Sequence, residues 1–118
     1  MSWDTYYYGT DDKYFCADDI CDWQGLCLTD DIDIAREYGE HVFAVNVPMG
    51  RLTVEDLDAD GACGWYPGDD DVEEYSDRGV DVITYADQSR NYNTGHTTWR
   101  LCSERAHDMA RATLCRIS

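Results

Sequence analysis

Lysine is almost missing from this chain: Lys13 stands alone among 118 residues, and there are only two prolines and two phenylalanines. Without a further lysine, a G-x-x-x-x-G-K-[ST] phosphate cradle cannot be built, which excludes nucleotide kinases of that type. No G-x-S-x-G element occurs, so a serine-hydrolase elbow is excluded as well. Long apolar runs are also lacking. None approaches the roughly 20 residues a membrane helix needs, and the segment Met1-Ser2-Trp3-Asp4 has neither the basic nor the apolar part of a secretion signal. The expectation is a soluble, cytoplasmic protein with no membrane partner.

Acidic side chains are abundant: 25 Asp and Glu oppose 9 Lys and Arg, giving a formal charge of −16. Nucleic-acid affinity rests largely on cations that displace counterions from phosphates, so direct binding to nucleic acid is excluded in expectation. The charge is uneven. Residues 1–77 hold 21 acids and 3 bases, and residues 78–118 hold 4 acids and 6 arginines. Nine tyrosines and four tryptophans are interleaved with the aspartates, which supplies apolar surface for one compact core and argues against disorder.

Six cysteines in so short a chain invite a disulfide framework, but no export signal supports it. Zinc wants paired ligands at short spacing, whereas Cys16, Cys21 and Cys27 are separated by longer intervals, and Cys63, Cys102 and Cys115 are isolated. None of His41, His96 and His107 lies beside a cysteine pair. The expectation is reduced thiols packed as small apolar groups.

Asp4 to Tyr8 is β-prone and runs into Gly9-Thr10, predicting a strand and turn. Gly25 to Leu28 predicts a second strand, and Thr29 or Asp30 is placed to cap a helix carrying Ile34, Ala35 and Tyr38 on one face, ended by Gly39. His41 to Val47 is the strongest strand signal. From Asp56 to Asp77 the chain reads as an acidic loop or insertion, after which Gly79–Tyr85 and Thr97–Leu101 predict strands around a polar turn. Ser103 caps a closing helix with Ala106, Met109, Ala110 and Leu114 inward. The order predicts a single α+β domain, residues 1–118, with a mixed, mainly antiparallel sheet.

Three features could carry function. Asp56-Leu57-Asp58-Ala59-Asp60-Gly61 matches the first half of a D-x-D-x-D-G calcium loop, but Pro67 stands where the loop needs its bidentate glutamate, leaving an acidic solvated loop as the other reading. The acidic runs, above all Asp69, Asp70, Asp71, Glu73 and Glu74, could present carboxylates at phosphate-like intervals to a basic protein. General surface charge explains them equally.

The third feature is a set of short segments. Tyr6-Tyr7-Tyr8-Gly9-Thr10 resembles the first-strand element of the ADP-ribosyltransferase-like fold, whose small members occur in phages and bacterial conflict systems. Gly25-Leu26-Cys27-Leu28-Thr29, then Ala35-Arg36-Glu37-Tyr38-Gly39 and Val42 to Val47, resembles its second element: a strand ending in Ser or Thr, a helix with A-x-x-Y, and an apolar strand. Gly79 to Ile83 and Gly95 to Leu101 resemble its last strands. The resemblance implies NAD as the bound nucleotide, with Tyr8, Gly9, Thr10, Thr29 and Tyr38 as cofactor-binding residues and Asp87, Gln88 and His96 as candidate catalytic residues. Tyr8 stands where the family has histidine, and His96, Thr97 and Thr98 precede Trp99 where the family has an acid. Asp87 and Gln88, on the preceding turn, are then the nearest replacements for a carboxylate that must stabilise an oxocarbenium-like ribosyl group. Ordinary sheet and core roles for Tyr8, Thr29 and Tyr38 stay open.

Two functions are therefore expected as alternatives. One is an NAD-dependent mono-ADP-ribosyltransferase-like protein acting on a host protein. The other is a non-enzymatic, DNA-mimicking inhibitor, phage-encoded and anti-defence in role, that blocks a basic nucleic-acid-binding host protein such as a CRISPR or restriction effector.

Overall fold

The computed structural model describes residues 4–20, 24–60, 68–88 and 95–117, with the side chains of residues 58–60, 87, 88 and 95 left undescribed. In chain order the elements are β1 (Asp4–Thr10), a 3-10 turn (Ala17–Asp19), β2 (Cys27–Leu28), α1 (Ile32–Tyr38), β3 (His41–Val47), a second 3-10 turn (Met49–Arg51), β4 (Val54–Asp60), α2 (Asp69–Asp77), β5 (Val82–Gln88), β6 (Gly95–Leu101), α3 (Glu104–Thr113) and β7 (Cys115–Arg116). They form a three-stranded sheet, β1-β3-β7, and a four-stranded sheet, β2-β6-β5-β4. All strand pairs are antiparallel except β4 and β5. This is the expected α+β domain with a mixed, mainly antiparallel architecture.

Side-chain alternation sorts the layers. In the register of β1 with β3, Tyr6 opposes Val45 and Tyr8 opposes Phe43, so these four share one face. Tyr6, Val45 and Val47 pack there with Ala106 and Ala110 of α3 and with Val82 and Leu101 of the four-stranded sheet. Gly9 and Val42, also paired, lie on the opposite face, toward α1. In β5 the neighbours of Val82 alternate likewise: Ile83 and Tyr85 join Val72, Val80 and Cys102 in a second core, with Leu57 and Tyr75 packed against it. The order of layers is α1, first sheet, main core with α3, second sheet, α2.

The stretch Asp56–Asp77, expected as a loop or insertion, instead contributes most of β4 and all of α2. Its apolar positions explain this. Val72 is fully buried and Tyr75, one turn on, packs beside it, while Asp69, Asp70 and Asp71 occupy the first turn, where the helix dipole favours carboxylates. The cap of α1 is also corrected: Asp31, rather than Thr29 or Asp30, accepts the Asp33 N–H (2.9 Å). Ser103 caps α3 as expected, accepting from Ala106 N. Among the described cysteines only Cys102 is buried; Cys16, Cys27 and Cys115 are exposed, contrary to the expectation of packed thiols. Burial pushes the Cys102 thiol up to about 12.

Two buried polar groups tie the layers together. His107, fully buried, donates from Nδ1 to Ser103 O (2.7 Å) and accepts at Nε2 from Leu26 N (3.1 Å), fixing the approach to β2 against α3. Asp81, 3% exposed, accepts from Thr53 N (2.9 Å), Ser103 Oγ (2.6 Å) and the Arg105 guanidinium (2.8 and 2.5 Å). Its carbonyl also accepts Cys102 N, so one residue joins the starts of β4, β5 and α3 to the end of β6. Chiefly through the Arg105 bonds, with Ser103 and Thr53 adding to them, its carboxyl is lowered to about 2. A depressed pKa adds stability above the ordinary value and loses it as pH falls through the folded value. Between pH 4 and pH 2 the native chain should therefore lose about 2 kcal/mol that Asp81→Asn does not lose. Chemical denaturation of both proteins across that window checks this.

Candidate functional site

β1 and β2 belong to different sheets and are joined by one isolated bridge: Tyr7 N donates to Thr29 O (2.7 Å) and Thr29 N to Tyr7 O (3.0 Å). Beyond it the strands part, and α1 closes over the gap. The result is a cleft of about 530 Å³ lined by Tyr7, Tyr8, Gly9 and Thr10 of β1, by Cys27, Leu28 and Thr29, by Ala35 and Tyr38 of α1, and by His96 and Thr98 of β6, with Asp11 and Asp12 at the end of β1.

Two glycines set the roof. A Cβ on Gly9 would lie 1.8 Å from the Ala35 carbonyl oxygen, and one on Gly39 would lie 2.1 Å from the Thr10 carbonyl carbon. Both obstacles are backbone, so the close approach of α1 to β1 requires glycine at each position. Below the roof, Thr29 is buried and its Oγ1 accepts the Asp31 N–H (3.2 Å), which leaves its hydroxyl proton to donate. Tyr8 stacks on Phe15 at 4.8 Å between ring centroids. Burial, with smaller contributions from Cys27 and Asp12, raises its phenol above the ordinary range and keeps it a hydrogen-bond donor at neutral pH.

His96 presents its ring edge-on to Tyr38 (centroids 6.2 Å apart, planes at 76°), and its Nε2 lies 3.4 Å from Thr98 Oγ1. Its Nδ1 is buried and has no hydrogen-bond partner among the described residues. A buried ring nitrogen left unpaired costs on the order of 1–3 kcal/mol unless something supplies a bond.

The structure thus brings together Tyr8, Gly9, Thr10, Thr29, Tyr38 and His96 around one cleft. Asp87 and Gln88, expected on a turn, are in β5, opposite His96 and Gly95 in the register; their side chains lie outside the described residues. The acidic set is elsewhere, on α2 and the other face of the second sheet. There Asp69 accepts from Arg100 (3.1 Å) and Asp71 from Gly68 N (2.8 Å), while Asp70, Glu73 and Glu74 are exposed. Asp56 accepts the Thr84 hydroxyl (2.9 Å) from within β4, and Asp58 and Asp60 fall in the same strand rather than in a loop. Among the described residues no group of three or more metal-ligating side chains forms. Sequence reasoning missed Tyr7, Thr98, Asp11 and Asp12 as cleft residues; the two-residue alternation from His96 was the available signal for Thr98.

Gly9→Ala should force α1 off β1, lowering unfolding free energy by about 2 kcal/mol. Gly50→Ala, where an added Cβ meets nothing within 4 Å, serves as the control and should be near neutral in the same denaturation measurement. No family model matches the chain, and no curated protein or solved structure gives a match either.

Proposed function

We propose that the cleft takes NAD and that the chain is a mono-ADP-ribosyltransferase-like protein acting on a basic host protein. The observation that carries this is the convergence of Tyr8, Gly9, Thr10, Thr29 and Tyr38 on the same cleft as His96. Tyrosine rings and hydroxyl donors suit a nicotinamide and its ribose. Transfer would break the bond from ribose C1′ to the pyridinium nitrogen, release neutral nicotinamide with the bonding pair, and join C1′ to a nucleophile of the acceptor. The acceptor proton would pass to the His96 imidazole. Asp87 and Gln88, paired with His96 and Gly95 across the β5–β6 ladder, are the positions proposed to supply electrostatic support.

Calorimetric titration with NAD tests the reading. Saturable binding is expected, weakened about tenfold, or roughly 1.4 kcal/mol, by Tyr38→Ala; absence of binding to the native chain would remove it.

A second reading, the acidic inhibitor of a nucleic-acid-binding protein, is favoured by α2, where buried Val72 pins a helix whose Asp70, Glu73 and Glu74 face solvent. If it holds, neutralising these three together should abolish most of the salt dependence of partner binding without lowering the melting temperature. Salt-insensitive binding by the native chain would argue against it. Asp69 and Asp71 are unsuitable for this test, because their carboxylates hold Arg100 and cap the helix. Intact mass of the bound partner separates the two readings: one added ADP-ribose unit selects transfer, and an unmodified stoichiometric complex selects inhibition.

A further inference from the structure

Of the three histidines only His107 is fully buried, and its partners fix its protonation state. Ser103 O can only accept, so Nδ1 carries the proton of that bond (2.7 Å), and Leu26 N–H can only donate, so Nε2 offers its lone pair (3.1 Å). The ring is therefore neutral. A second proton, on Nε2, would set one N–H against another and break the bond to Leu26. That bond matters because Leu26 leads into a strand with few tethers. β2 pairs with β6 only at Arg100 and Trp99, Leu101 N reaches Leu26 O (2.9 Å), and Tyr7 holds Thr29 at the far end. Cys27, Leu28 and Thr29 of this segment line the cleft.

We propose that His107 is a proton-operated latch: neutral, it holds Leu26 and β2 against α3, and protonated, it releases the Leu26 N–H and loosens the floor of the cleft. The latch is independent of what the cleft binds. Charged groups on α3 and on the elements packed against it are engaged with other partners or face water. Arg111 holds Asp108 and Ile20 O, and Arg105 holds Asp81. Arg100 of β6 holds Gln24 O and Asp69, and His41 of β3 meets Glu40 and Arg116. Glu104 of α3, Asp18 and Asp19 of the first 3-10 turn, which packs on α3, and Cys27 of β2 are exposed. Burial, chiefly, pushes the Tyr6 phenol and the Cys102 thiol up to about 12, so both stay neutral. Protonation therefore comes with opening: the released ring takes a proton at the ordinary histidine value of about 6.5, and the latched ring does not. Because the open state binds one more proton, closure is fully favoured above about pH 6.5 and weakens as pH falls below it.

Amide hydrogen exchange read by NMR tests this, as protection factors at pH 7 and pH 5 for the native chain and for His107→Gln, whose amide keeps a donor and an acceptor but does not titrate. In the native chain Leu26 should be less protected than Val45 of β3, and its protection should fall about 25-fold between pH 7 and pH 5. In His107→Gln the Leu26 protection should be the same at both pH values. If that variant does not fold, the double variant His41→Gln/His96→Gln, which leaves His107 as the only histidine, must keep the 25-fold fall. Three results overturn the latch: Leu26 protection independent of pH in the native chain, the same fall in His107→Gln, or loss of the fall in the double variant. Leu26 protection equal to that of Val45 overturns it as well, because β2 would then open only when the whole chain unfolds.

Discussion

Two backbone hydrogen bonds between Tyr7 and Thr29 decide where this molecule has a cleft. β1 is committed to β3 along its whole length, and β2 to β6, so the two strands meet only where their paths cross. A bridge that neither sheet extends leaves backbone diverging on one side, and a helix must cover the gap. α1 does so because glycine at positions 9 and 39 lets main chain approach main chain. Substituents at either position would wedge the roof open, so the cleft depends on the absence of two methyl groups as much as on the side chains that line it.

The Asp81 cluster performs the corresponding task at the other end of the second sheet. A buried carboxylate is costly unless hydrogen-bonded, and here backbone, hydroxyl and guanidinium donors from two segments satisfy it. Most of the Arg105 side chain remains in solvent, which lowers the desolvation cost of the pair relative to a fully buried one. With His107 fixing Leu26 against α3, the strands that carry Thr29, His96 and Thr98 rest on polar anchors as well as on the main core.

How much of this was legible in the sequence follows from how far each element relies on local signals. β3, with its run of apolar residues, and α3, with Ser103 as cap, declare themselves. α2 does not. Its sequence, Asp69 to Asp77, is mostly acidic, and the two residues that dock it, Val72 and Tyr75, become meaningful only against Ile83 and Tyr85. The α1 cap was read as Thr29 or Asp30, but the helix starts at Ile32, which leaves the capping position to Asp31. The short β7 pairs only with Phe43 and Ala44 and has too few residues to show a period. For the cleft, Tyr8, Gly9, Thr10, Thr29, Tyr38 and His96 were readable from local motifs, whereas Tyr7 and Thr98 were not, and Asp11 and Asp12 looked like one acidic doublet among many.

The uneven charge of the chain gains a structural meaning from the same placement. The arginines of residues 78–118 are spent largely inside the molecule: Arg100 reaches Asp69 and Gln24 O, Arg105 reaches Asp81, and Arg111 reaches Asp108 and Ile20 O. They neutralise particular carboxylates where packing requires it, while Asp70, Glu73 and Glu74 of α2 stay exposed. Two faces therefore carry the excess, one a helix backed by an apolar core and the other the mouth of a cleft. On the helix, carboxylates can act only at range, on a partner that brings its own cations. At the cleft, Asp11 and Asp12 line the same space as Tyr7 and Tyr8. The two acidic faces are separate, because no residue of α2 is among the described lining of the cleft.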